Sequence, residues 1–91
     1  MKTIWKFPIQ TTDEQIVSMP IGAEILCVQV HNAFPCLWAL VNPINPQYFR
    51  IVRVVGTGHP CFELNMSDYV GTYQLPSGLV FHVFVSPEVA A

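Results

Sequence analysis

Proline and glycine punctuation is what most limits the folds open to this chain. Eight prolines and five glycines interrupt 91 residues, and no segment between them carries the 3.6-residue apolar period of an amphipathic helix. The segments read instead as short strands. Residues 2–7 (KTIWKF) set Thr3, Trp5 and Phe7 on one face and Lys2, Ile4 and Lys6 on the other, and the two lysines suit a sheet edge. Residues 14–20 read as a second strand. Residues 23–31 and 36–41 read as a pair joined by NAFP, a hairpin-length connection. Residues 48–55 follow the proline-broken loop NPINPQ, and residues 69–75 and 79–85 make a last hairpin around PSG. CFELNMSDY (61–69) is the single candidate for a helical turn. About seven strands, with turn signals every roughly 8–12 residues, predict one mostly-β domain over residues 1–91: a small antiparallel β-sandwich or barrel with at most one short helical turn.

Two of these strands need cover on both sides. CLWALV (36–41) has no polar position, and LVFHVFV (79–85) is apolar on both faces apart from His82. Such strands are covered by a second sheet or by another subunit. Composition points the same way, with 52% of residues apolar and 11% charged against a usual ~25% charged. A large exposed apolar patch on so small a chain marks an interface, so a homo-oligomer is expected. A net charge of −2 with only four lysines and arginines does not suit a phosphate backbone, and nucleic acid is not an expected partner. No apolar run reaches the ~20 residues of a spanning helix, and the first ten residues lack the apolar core of a signal peptide. The three cysteines then read as reduced thiols, and a cytoplasmic location without membrane contact is expected.

Chemistry concentrates in VVGTGHPCF (54–62). Gly56 and Gly58 around Thr57 expose backbone amides to a close approach, and His59 adds a ring nitrogen that donates or accepts near neutral pH. The stretch is neither a Walker loop nor a dinucleotide-binding turn. Two readings stand side by side: a strand corner stiffened by Pro60, or a backbone-lined binding turn. Arg50 and Arg53, three apart on one strand, point to opposite faces, so one can meet a small anionic ligand. Tyr73 and Trp5 supply rings that can stack on a base. No histidine or cysteine pair has zinc-ligand spacing, and neither a metal nor a cofactor is expected. His59 and Cys61 lack a placed carboxylate, so a Cys–His enzyme is the weakest reading and no catalytic residue is assigned.

KTIWKF, the 19–30 segment MPIGAEILCVQV, PCLWALVNP, VGTGHP and LVFHVFV together resemble a family of small uncharacterised bacteriophage and prophage proteins, a domain of unknown function. The resemblance runs from Lys2 to about Val85 and includes Trp5, Gly22, Trp38, Gly56, Thr57, Gly58, His59, Pro60, Gly71, Phe81 and His82. It brings no assigned site. It implies a setting, the host cytoplasm, in which small phage proteins bind a host component. The expected function is therefore a non-enzymatic binding protein that antagonises host defence by sequestering a small anionic, nucleotide-like signal in an oligomer. The alternative is a protein–protein inhibitor or assembly module acting on a host protein through an apolar face or an edge strand.

Overall fold

The computed structural model describes residues 1–61 and 63–89. In chain order the strands are β1 Thr3–Pro8, β2 Glu14–Pro20, β3 Glu24–His31, β4 Phe34–Val41, β5 Gln47–Gly56, β6 Tyr69–Gln74 and β7 Val80–Val85. They form two antiparallel sheets, ordered β1-β4-β3 and β2-β5-β7-β6. Period-two alternation puts Val28, Leu37 and Val41 of the first sheet against Met19, Val52 and Val83 of the second in one core. β5 shows the pattern plainly: Arg50, Val52 and Val54 are buried, while Ile51, Arg53 and Val55 are half-buried on the outer face. Among the described residues no helix is long and apolar enough to cross a membrane.

The β3–β4 hairpin is tighter than its sequence suggests. Its turn is Asn32–Ala33 alone, with φ of 51° and 70°, the paired left-handed geometry of a type I′ turn. Phe34 and Pro35, expected in the connection, belong to β4 and pair with His31 and Val30. Pro35 is tolerated there because its carbonyl points toward β1, accepting from the Ile9 amide at 3.0 Å. Its missing N–H therefore faces the end of that ladder, where one bond is lost rather than a run. β4, apolar throughout, is covered unevenly: Leu37, Ala39 and Val41 are buried in the core, while on the outer face Cys36 is buried and Trp38 and Leu40 remain half-exposed.

On one flank the sheets close, since β3 and β6 pack together. A Cβ at Gly71 would stand 3.1 Å from Val28 Cγ1, so glycine permits that approach. The other flank is open, and its edges are β1 and β2. Ile9 donates to Pro35 O, Val54 to Asp13 O and Ile21 to Pro46 O, which fixes the alternation of backbone groups along both edges. Trp5 and Phe7 turn their N–H and C=O groups inward to β4, as Gln15 and Val17 do to β5. Ile4, Lys6 and Pro8 on β1, with Glu14, Ile16, Ser18 and Pro20 on β2, turn theirs to the open side. Pro8 and Pro20 thus place their missing donors where no ladder bond is lost.

The second sheet has a crossover. β7 lies between β5 and β6, so residues 57–68 must pass over it. They do so on the outer face, above Phe84, which is buried although it points away from the core. Leu64, Asn65 and Asp68 line a small cavity together with it, and the Tyr69 ring meets it edge-on at 5.5 Å. The helical turn expected within 61–69 is a single 3₁₀ turn, Met66–Asp68, whose capping Asn65 side chain accepts from the Ser67 amide at 3.0 Å. Phe62, in the same segment, lies outside the described residues.

Ala33 occupies a conformation that favours glycine, and a side chain there costs about 1–2 kcal/mol. Ala33→Gly should raise stability by about 0.5–1 kcal/mol after the added freedom of the unfolded chain is counted. Thermal denaturation should show a melting temperature a few degrees higher, with an unchanged far-ultraviolet spectrum.

Candidate functional site

β5 ends at Gly56, and the chain turns at once. Gly56 O accepts from the His59 amide at 3.0 Å, with Thr57 and Gly58 at the two central positions. Gly58 has φ +86°, the third-position geometry of a type II turn that selects glycine. The His59 ring folds back over Gly56, where an added Cβ would stand 3.0 Å from Nδ1. The Thr57 amide donates to Val80 O at 3.1 Å. Two amides of the turn are therefore spent inside the fold.

The turn separates two environments. Thr57 points toward β7, where its Oγ1 lies 2.7 Å from His82 Nε2. Thr72 Oγ1 lies 2.9 Å from His82 Nδ1, and Tyr69 Oη lies 2.6 Å from Thr72 Oγ1. A line of polar atoms thus joins the turn, β7 and β6 on the outer face. Each neighbour of the imidazole is a hydroxyl that both donates and accepts, so either neutral tautomer is satisfied. The sequence marks His82 as the one polar group in an apolar strand, but not its partners, which come from distant segments.

His59 faces the other way, into a cleft of about 440 Å³ between β2 and the start of the crossover. Gly56 and Arg53 line it too, with Asp13, Glu14, Pro60, Cys61, Glu63 and Leu64 among the other walls. Arg53 is already engaged: Nε lies 3.3 Å from Glu14 Oε2, and Nη1 donates to Glu63 O at 3.1 Å. Cys61 Sγ is directed at the His59 carbonyl, 3.7 Å away. The acidic residues Asp13, Glu14 and Glu63 outnumber the one guanidinium. Among the described residues no group of three or more His, Cys, Asp or Glu side chains stands close enough to hold a metal ion.

The remaining candidates lie elsewhere. Tyr73 is buried and stacks on Phe81 at 5.6 Å. Its hydroxyl meets Thr11 Oγ1 at 2.7 Å, and burial raises its pKa against the opposing effect of that bond. Trp5 sits on the core-facing side of β1, paired across from Ala39. Arg50 is 9% exposed and anchors the opposite end of the sandwich. Its Nε donates to Ser86 O at 2.6 Å and its Nη1 to Ala23 O at 3.1 Å, while Glu88 Oε1 lies 3.8 Å away. The structure thus brings Gly56, His59 and Arg53 to one cleft, turns Thr57 to the His82 line, and leaves Arg50, Tyr73 and Trp5 outside the cleft walls.

A model for a family described only as a domain of unknown function (DUF7352) matches residues 1–91, and the chain belongs to that family. No curated protein matches the chain, and no solved structure does.

The Gly22 amide, donating to Glu88 Oε1 at 2.8 Å, is the main cause holding the Glu88 carboxyl below its ordinary pKa. Its own backbone amide and the Arg50 charge add to this, and partial burial opposes it. A pKa depressed in the folded state means stability that is present above the unfolded pKa and lost as pH falls through the folded one. The urea midpoint should therefore drop as pH falls from about 5 to about 3. Glu88→Gln should show a smaller drop, since the amide oxygen still accepts from Gly22 without titrating.

Proposed function

We propose that this member of a family of unknown function is a non-enzymatic protein-interaction module working through the open flank of β1 and β2. One observation carries the reading: that flank combines unpaired strand edges with exposed apolar side chains. Ile4 is 56% and Ile16 65% exposed, and Trp5, although on the core-facing side of its strand, is still 39% exposed. Unpaired edges beside apolar surface are what strand addition uses, with main-chain bonds giving affinity and side chains giving selectivity.

A second reading, sequestration of a nucleotide-derived anion by Gly56, His59 and Arg53, has the cleft in its favour, because about 440 Å³ is of small-ligand size. The charge of the walls opposes it. Asp13, Glu14 and Glu63 repel an anion, and Arg53 already serves Glu14 and the Glu63 carbonyl.

Substitution separates the two. Ile16→Lys should abolish association, whether with another copy or with a captured protein, while Thr57→Ala and His59→Ala leave it intact. Signal nucleotides should leave the melting temperature unchanged. A nucleotide-induced rise that disappears in His59→Ala would move the function to the cleft.

A further inference from the structure

The partner that the open flank fits is identified by its own chemistry. Lys2 and Lys6 are the only lysines of the chain, one just before β1 and one within it, while both arginines face carboxylates of the same chain. β2 and the residue before it supply Asp13 and Glu14, the latter with one oxygen, Oε2, on Arg53 of its own chain. One flank therefore carries a basic edge beside an acidic edge. We infer, building on the interaction reading above, that the partner is a second copy, with β1 of each chain pairing antiparallel to β2 of the other.

Register decides the match. The backbone groups free to pair are those of Ile4 and Lys6 on one edge and of Glu14, Ile16 and Ser18 on the other, as the inward bonds of Ile9 and Asp13 require. Only registers that oppose an even-numbered residue of β1 with an even-numbered residue of β2 join free groups to free groups. Of these, one sets Lys6 against Glu14. That same register sets Ile4 against Ile16, apolar and exposed on both strands, and Lys2 against Ser18. Each opposed pair with free groups exchanges two N–H···O=C bonds, and opposite charges or apolar side chains facing directly across add to the pairing. Pro8 and Pro20, with no N–H toward the seam, end it on either side. Pairing β1 with itself about Ile4 would instead oppose Lys2 and Lys6, and pairing it about Trp5 would set Ile4 against Lys6 with no charge matched.

The arrangement closes on itself. β3 and β6 seal the far flank, so β1 and β2 lie together on the near one, in different layers. A two-fold axis parallel to the strands exchanges the layers. It brings β1 to the partner's β2 and, by the same rotation, β2 to the partner's β1. Two seven-stranded sheets result, stacked face to face. Lys6 Nζ exchanges its exposed contact with His31 Nδ1, at 3.3 Å, for Glu14 across the seam. Because Glu14 lines the cleft beside Arg53, Lys6 of the partner subunit adds a cation to that cleft's rim.

Sedimentation equilibrium over a concentration series tests this with Lys6→Glu, Glu14→Lys and the doubly exchanged chain. The wild type should dimerise, each single reversal should weaken the dimer about tenfold or more, and the double exchange should restore it. A monomeric wild type, reversals without effect, or a double exchange that fails to restore association would each overturn the pairing. Reversals that leave the dimer unchanged would point to β2 pairing with β2. Circular dichroism checks that each variant is folded. Hydrogen exchange on the wild type gives a second measurement that needs no substitution: amides of Ile4, Lys6 and Ile16 should gain protection with concentration, while those of Trp5 and Val17 should already be protected when dilute. Equal concentration dependence at all five would overturn the register. If the wild type is monomeric but Ile16→Lys still abolishes capture of another protein, the inference fails and the interaction reading stands.

Discussion

The order β5-β7-β6 is the constraint on which most of this molecule's distinctive features depend. Because β7 separates two strands that precede it in the chain, residues 57–68 must travel back across a sheet face. That path buries Phe84 outside the core and requires the sharp turn at Gly56–His59. It also sets Thr57 beside His82 and raises one wall of the cleft against β2. A hairpin between β5 and β6 would have left the outer face bare and the two glycines without this task. The turn is thus a structural corner by origin, and one side of that corner forms part of the cleft wall.

Local pattern made some of this legible and hid the rest. The alternation in residues 48–55 sets Arg50 and Arg53 on opposite faces, as the structure has them, whereas residues 79–85, apolar on both faces, do not reveal from sequence which face is inner. The two lysines of KTIWKF marked an edge strand, and β1 is one. Phe34–Pro35 was misread as connection because a proline's missing donor is harmless only where a ladder ends, which depends on the neighbouring strand. The separation of Arg50, Tyr73 and Trp5 from Arg53 and His59 was hidden for a related reason. Which end of a sandwich a side chain occupies follows from pairings between distant segments. No spacing within the chain announces that Tyr73 meets Thr11, or that Thr57 and Thr72 bracket one imidazole.

Charge is scarce here and therefore informative. Arg50 and Arg53 lie on the same strand with opposite employment. One is a buried tie between the Ala23 and Ser86 carbonyls, and the other is an outer-face link between β2 and the crossover. Neither is a free cation awaiting a ligand. The two lysines are left to characterise β1, and the surplus acid characterises the cleft and the β2 edge. A nearly neutral chain can in this way present two distinct electrostatic surfaces a few residues apart.

The late position of β7 in the chain has a consequence for the order of assembly. The four-stranded sheet has its first contact, β2 with β5, long before β7 is synthesised. β6 has no sheet partner at all until β7 inserts beside it. The crossover cannot settle on Phe84 while Phe84 is still being made. Before residues 80–85 are made, β2 and β5 can already pack on the first sheet, and what stays bare is the part of that sheet's inner face that Val83 and Val85 cover. Completion of this fold is a closing event, in which one strand, arriving last, joins both halves at once.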